Sequence, residues 1–113
     1  MSKKNTLLTA PPYAIEQALK RLGTNLRTAR LRRNLTIGEV AEKIGTGIRA
    51  VTDAEKGKPS TSAAVYAALL WAFDLLDQID DVGDPEKDIE GQALALSRER
   101  GRARQGGKID NDF

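Results

Sequence analysis

Two short helical patterns joined by a tight turn occupy residues 35–58, which read LTIGEVAEKIGTGIRAVTDAEKGK. Thr36 followed three residues later by Glu39 has the form of a capping box, which predicts that a helix begins here. Gly45 is the residue type that most often ends a helix in the left-handed conformation. A second short helix is predicted over residues 47–56 from the three-residue spacing of its apolar side chains. The apolar residues of the two helices are Val40, Ala41, Ile44, Ile48, Val51 and Ala54.

A helix-turn-helix unit needs two short helices that cross closely at a sharp turn, and this stretch meets both needs. Ala41 is small enough to leave room for the partner helix, and Gly45 allows the sharp turn. In such units the second helix lies in the major groove of DNA while the first crosses the DNA backbone. The stretch is therefore predicted to be a helix-turn-helix.

Helical signals continue on both sides of this unit. Before it, apolar residues recur at three- and four-residue steps up to Asn34, a residue type that can end a helix. Gly23 interrupts that helix, so we expect a bend or a new start there. After it, Thr61 or Ser62 can cap a fourth helix, and a short fifth helix is predicted over residues 75–81. The two apolar stripes are Ile15, Leu19, Leu22, Leu26 and Ala29, and Val65, Leu69, Ala72, Phe73 and Leu76.

These patterns predict an all-α fold, because no strand-like alternation of apolar and polar residues occurs in the sequence.

A final amphipathic segment begins at Asp84-Pro85-Glu86, which provides a cap, a proline at the first helical position and an acidic first turn. Four segments are predicted. They are a disordered N-terminal arm over 1–12, a helix-turn-helix DNA-binding domain over 13–82, a helical C-terminal extension over 83–100 and a disordered tail over 101–113.

The composition argues against an enzyme and against a cofactor. The 113 residues include no Cys and no His, which excludes disulfides, Cys-rich zinc sites and His-dependent catalytic triads. The acidic cluster between Asp74 and Asp84 lacks the ligand spacing and terminal Glu of a calcium loop, so no metal site is predicted.

The longest apolar run, Ala63–Phe73, has 11 residues. It is too short to span a bilayer, and a cytoplasmic location is expected.

The small net charge of +2 hides a strong separation of charge along the chain. Residues 1–58 hold 12 basic and 5 acidic residues, whereas residues 59–90 hold 1 basic and 8 acidic residues. A basic block beside an acidic block favours an anionic partner at one end and a different partner at the other. Solvated charged faces without a partner are the alternative.

Four arginines alternate in the tail and could contact DNA, contact an acidic partner or stay solvated: Arg98, Arg100, Arg102 and Arg104.

Three segments carry a resemblance to a known family. Residues 26–30 (LRTAR), 35–45 and 51–60 (VTDAEKGKPS) resemble the lambda-repressor/Cro-like family, also called XRE. The resemblance covers about residues 20–80. It implies a five-helix lambda-repressor-like DNA-binding domain with a short helical C-terminal extension. It also implies a sequence-specific transcriptional repressor whose partner is double-stranded operator DNA.

The resemblance implies a set of DNA contacts. Thr46 and Gly47 would begin the recognition helix. Arg49 is the best candidate for reading guanine, because a guanidinium donates two hydrogen bonds to O6 and N7. Backbone N–H groups of Thr36 and Ile37 would meet a phosphate at the start of the preceding helix. The implied contact residues are Thr36, Ile37, Thr46, Gly47, Ile48, Arg49, Thr52, Asp53, Lys56 and Lys58.

Two structural features also follow from the resemblance. Arg30 and Glu55 match an ion pair that ties the first helix of the family's domain to the third. A homodimer is expected, because one recognition helix covers too few base pairs for useful specificity. The residues expected at the dimer interface are Trp71, Phe73, Leu75 and Leu76.

A looser similarity extends beyond this domain. Leu75-Leu76-Asp77, residues 84–88 (DPEKD) and residues 91–94 (GQAL) look like HipB-type antitoxins. In that group the regulator is encoded with a HipA-type Ser/Thr kinase toxin and represses their shared operon. The similarity implies a HipA-like kinase as a possible partner.

Two other functions stay open at this point. The chain could be a stand-alone helix-turn-helix regulator without a toxin partner, or a helical protein-interaction adaptor that has lost DNA binding. Ile37 stands where the family usually has Gln, and Asp53 places negative charge near DNA, which both favour the adaptor. Asp53 could instead accept a hydrogen bond from a cytosine amino group.

Overall fold

A computed structural model of the chain describes residues 5–104. Within that range all the regular secondary structure is helical and there is no strand, as predicted. The helices are α1 (Thr6–Thr9), α2 (Tyr13–Arg32), α3 (Ile37–Ile44), α4 (Ile48–Glu55), α5 (Ala63–Ala72), two 3-10 helices (Leu76–Asp81 and Pro85–Lys87) and α6 (Ile89–Arg104).

The chain divides into two compact units, and the division falls between Ile79 and Asp80. The first unit contains α1 to α5, and its core lies where α2, α3, α4 and α5 pack together. The second unit contains the second 3-10 helix and α6. The core residues are Leu26, Ala29, Val40, Ala41, Val51, Ala54, Leu69, Ala72 and Phe73.

Helix α2 runs without interruption through Gly23, so a new helix does not start there. The structure shows a different reason for the glycine. A Cβ at Gly23 would lie 2.5 Å from the carbonyl oxygen of Glu55 and 2.6 Å from that of Ala54. The absence of a side chain lets the end of α4 lie directly against α2.

The boundaries of α3 follow the local chemistry that the sequence indicated. The Glu39 backbone N–H donates to Thr36 Oγ1 at 3.0 Å, and the Thr36 backbone N–H donates to Glu39 Oε1 at 2.8 Å. Gly45 ends the helix with φ of +79°, a left-handed conformation that side chains disfavour. The predicted capping box and the predicted stop are both confirmed.

The other helix boundaries differ in detail from the prediction. Ser62 rather than Thr61 caps α5, because Ser62 Oγ accepts from the Val65 backbone N–H at 3.2 Å. The predicted fifth helix is a 3-10 helix, Leu76–Asp81. Asp84 caps a 3-10 turn through a hydrogen bond from the Glu86 backbone N–H, and α6 begins only afterwards, at Ile89.

The two ends of the described chain contain more helix than the prediction allowed. Within the predicted disordered arm, Asn5 caps the single turn of α1 by accepting from the Leu7 backbone N–H at 3.1 Å. Helix α6 continues to Arg104, past the predicted end of the extension at residue 100. Residues 1–4 and 105–113, which the prediction also assigned to disorder, lie outside the described residues.

The close approach at Gly23 is testable. We expect Gly23→Ala to lower the free energy of unfolding by about 1–3 kcal/mol, because the added methyl group must push the backbone of α4 away. Chemical denaturation with urea measures this difference.

Gly38→Ala is the matched control. A Cβ there would meet Ile48 Cδ1 and Thr36 Oγ1, each at an ordinary contact distance of 3.9 Å, so the better helix propensity of alanine should raise stability by up to about 1 kcal/mol. Equal stability of the two variants would contradict the close packing of α2 against α4.

Candidate nucleic-acid interface

Helices α3 and α4 meet at a turn that fixes the angle between them. The Thr46 backbone N–H donates to the Ala41 carbonyl at 2.9 Å, which closes the end of α3. Gly47 is the cap residue of α4. Val40 and Val51, one on each helix, are fully buried. The inner faces of the two helices are thus joined through apolar contacts, and their outer faces are left to solvent.

A buried ion pair attaches α4 to α2. Arg30 Nε lies 2.6 Å from Glu55 Oε2, and Arg30 donates a second bond to Glu55 Oε1 at 3.1 Å. Both side chains are only 8% exposed. The hydrogen bond to Glu55 raises the pKa of Arg30, against the lowering effect of burial.

The same guanidinium also holds the segment before α3. Arg30 donates to the Leu35 carbonyl at 2.8 Å. One side chain therefore joins α2, the chain that leads into α3 and the end of α4. The pair implied by the resemblance is present, and it positions both helices of the motif.

The outer face of α4 carries most of the residues that were expected to contact DNA. The Arg49 side chain is 85% exposed. Ile48 is also well exposed, and Thr52 is half-buried beside it. Lys56, at the cap of the helix, is exposed. Val51 and Ala54 occupy the opposite, fully buried face.

Asp53 is paired with two cations that the sequence placed at the same interface. Its Oδ2 lies 3.9 Å from Arg49 Nε, and its Oδ1 lies 3.4 Å from Lys58 Nζ. The Lys58 backbone N–H also donates to the Asp53 carbonyl at 3.0 Å. The Asp53 side chain is 23% exposed, and its carboxylate lies beside two basic side chains at one edge of α4.

The N-terminus of α3 requires one correction. The Thr36 backbone N–H was expected to meet a phosphate, but it donates to Glu39 within the capping box. This bond, with a smaller contribution from the Thr36 hydroxyl, lowers the pKa of Glu39. Ile37 packs its side chain against the core. The N–H groups of Ile37 and Gly38 are the ones that have no acceptor within the helix.

The residues expected at a dimer interface do not form one exposed surface. Phe73 is 1% exposed and belongs to the core of the first unit, so its assignment to the interface is wrong. Its side chain belongs to the buried cluster, and the guanidinium of Arg33 lies 5.4 Å from its ring centroid. Trp71 and Leu76 are exposed, at 52% and 39%, and Leu75 is half-buried.

Two basic side chains have roles that the sequence reading did not assign. Arg33 donates to the carbonyls of Ala29 and Phe73 at 2.9 and 2.8 Å, and its guanidinium lies 5.4 Å from the Phe73 ring centroid. Lys43 lies 5.8 Å from the Trp71 ring centroid. The available signal was the position of each residue at the C-terminal end of its helix, where a cation complements the helix dipole: Arg33 caps α2, and Lys43 lies in the last turn of α3.

The described chain offers no metal-binding cluster and no membrane helix. Within residues 5–104, no group of three or more acidic side chains is arranged to hold a metal ion. In the same range, no helix combines the length and the apolar character that crossing a bilayer requires.

Comparison with known proteins agrees with this geometry. A family model described as a helix-turn-helix domain matches residues 21–80, more than half of the chain. The match begins within α2, includes the whole of α3, α4 and α5, and ends at the last residues before Asp81. No curated protein and no solved structure matches the chain. The chain belongs to the helix-turn-helix domain family.

Proposed function

We propose that this protein is a sequence-specific DNA-binding repressor in which α4 enters the major groove. The observation that carries the proposal is the exposed Arg49 on the outer face of a helix whose position is fixed by the Arg30–Glu55 pair. A recognition side chain must reach base edges from a rigid support, because a misplaced donor loses its directional hydrogen bonds. Arg49 donates to O6 and N7 of a guanine in this proposal.

The surrounding charges support contact with the DNA backbone. Lys56 and Lys58 follow α4, where they bind phosphates beside the groove. The free N–H groups of Ile37 and Gly38 point out of the positive end of α3 and bind a further phosphate. The surplus of basic residues in 1–58 adds a longer-range attraction for DNA.

The positions of Asp53 and Ile37 weaken the case for a protein-interaction adaptor. Asp53 lies 3.9 Å from Arg49 Nε and 3.4 Å from Lys58 Nζ, so it does not present an isolated negative charge to DNA. Ile37 has a structural use against the core, so its apolar side chain does not require a protein partner. The two features that favoured the adaptor therefore have explanations within a DNA-binding domain.

The repressor acts as a homodimer in this proposal. Two recognition helices double the number of base pairs read, and their symmetry matches a palindromic operator. Trp71 and Leu76 are the exposed apolar residues of the candidate interface, with Leu75 at its edge. Phe73 is buried in the core and is not part of that surface.

The finer proposal is that this repressor is the antitoxin of a HipA-type kinase and represses the operon that encodes both proteins. The likeness of residues 75–77, 84–88 and 91–94 to HipB-type antitoxins supports it. A stand-alone regulator is the alternative, and the two differ in whether a partner is encoded next to this chain.

The base-reading role of Arg49 predicts a specific defect. Arg49→Ala should weaken operator binding by about 1–3 kcal/mol and relax the preference at one base pair. Quantitative gel shifts with the operator and with single-base variants measure both effects.

Arg32→Ala is the matched control, because Arg32 borders a groove formed by Asn25, Thr28 and Leu75 rather than the face of α4. The same loss of one positive charge there should leave the base preference unchanged. If the two variants lose affinity equally and keep the same preference, Arg49 does not read a base.

The phosphate-binding roles of Lys56 and Lys58 predict a different pattern. Lys56→Gln and Lys58→Gln should each weaken binding to all sequences alike and should reduce the slope of log affinity against log salt by about 0.9. Fluorescence anisotropy over a salt series, with operator and random duplexes, measures the slope. Unchanged slopes would remove these residues from the DNA interface.

The antitoxin proposal predicts co-purification. Tagged protein expressed with its operon neighbour should retain a kinase-like protein at a stoichiometric level, and the complex should protect DNA upstream of the operon from nuclease. The same pull-down with an unrelated tagged helix-turn-helix domain is the control. Protection of that DNA without a retained kinase would support the stand-alone regulator instead.

A further inference from the structure

Helix α6 is long, yet none of its side chains is buried. Ile89 is 71% exposed and Leu96 is 51% exposed. Its first turns are secured within the second unit, because Gln92 Nε2 donates to the Pro85 carbonyl at 2.9 Å and Asp88 Oδ1 accepts from the Gly91 backbone N–H at 2.9 Å. Its later turns contain Gly101, which costs about 1 kcal/mol in a helix interior.

An unsupported helix of this length is marginally stable in water, so its later turns need a packing partner. One face offers the surface for it. Ile89, Ala93 and Leu96 follow one another at steps of four and three residues, and Arg100 and Ala103 continue the same line. We name these five residues the α6 stripe.

Charges beside the α6 stripe are arranged with opposite signs at its two ends. Glu90, Ser97 and Arg104 are spaced by seven residues and therefore border the same side of the α6 stripe. In an antiparallel pair of α6 helices centred on Ser97, Glu90 of one copy faces Arg104 of the other, twice per pair. In a parallel pair the side that carries Glu90 and Arg104 would instead face the other side of the partner's stripe, so the two charges would not meet.

We propose that α6 pairs in an antiparallel manner with α6 of a second copy of this chain through the α6 stripe. Leu96 packs against Leu96 of the second copy near the centre, and small Ala93 leaves room for the stem of Arg100. DNA is a less suitable occupant, because phosphates would bind the arginines but would leave Ile89 and Leu96 in water and would repel Glu90. The proposal concerns residues other than the DNA contacts of α4. It adds a second contact between copies to the one proposed at Trp71 and Leu76, and it rests on neither.

Cross-linking tests the face that pairs, since the chain has no Cys of its own. Ser97→Cys and Ala95→Cys place one thiol each near the centre of α6, the first beside the α6 stripe and the second turned away from it. With a short bismaleimide and the full-length protein in the absence of DNA, we expect covalent dimer from Ser97→Cys and little from Ala95→Cys. Equal yields from the two variants, or none from either, would overturn the proposal.

Charge exchange in the Ser97→Cys background tests the antiparallel direction. Glu90→Arg or Arg104→Glu alone should lower the initial rate of cross-linking about tenfold at low salt, since two attractive pairs become repulsive. The double variant should restore it. Arg98→Glu, which makes the same charge change on the opposite face, should have little effect.

Failure of the double variant to restore cross-linking would contradict antiparallel pairing. Unchanged cross-linking in Arg104→Glu, together with weaker DNA binding, would overturn the proposal and assign Arg104 to DNA. Because cross-linking is measured without DNA, its failure is distinct from a failure of the proposed repressor function.

Discussion

The buried ion pair between Arg30 and Glu55 is the constraint on which the helix-turn-helix depends. Arg30 binds Glu55 at 2.6 Å and the Leu35 carbonyl at 2.8 Å, so one side chain connects three parts of the chain. Loss of either charged partner would leave the other buried and unpaired, at a cost of about 3–5 kcal/mol. The exposed face of α4 is presented to solvent because its inner end is held in this way. The proposed reading of DNA by Arg49 is therefore a consequence of a contact on the other side of the helix.

The features that sequence predicted well are those set by a few neighbouring residues. Thr36 and Glu39 form the capping box on their own, and Gly45 ends α3 through its own conformational freedom. Gly23 was misinterpreted because its reason lies in the carbonyl of Glu55, 32 positions later in the chain. Phe73 was misplaced for a related reason, since an apolar residue at the end of a helix is equally suited to a core and to an interface until its neighbours are known.

The same limit applies to the charged residues of the candidate interface, because a sequence does not show which side chains lie beside them. The sequence shows only that Asp53 carries a negative charge. The structure shows that Arg49 and Lys58 lie beside it, which weakens the repulsion between this carboxylate and DNA. Arg33 likewise counts as one more cation in the sequence, whereas its hydrogen bonds to Ala29 and Phe73 make it part of the link between α2 and α5. The separation of basic and acidic blocks predicted distinct surfaces. It could not predict which of the basic side chains are engaged within the fold.

The central claim is that the outer face of α4 and the start of α3 meet DNA. Backbone amide chemical shifts of the labelled protein, titrated with duplex DNA from upstream of its own coding region, test this claim most directly. The account predicts the largest changes at Ile37, Gly38, Ile48, Arg49 and Thr52, with small changes in α6. Unchanged shifts at those five residues, or changes confined to residues 89–104, would contradict it.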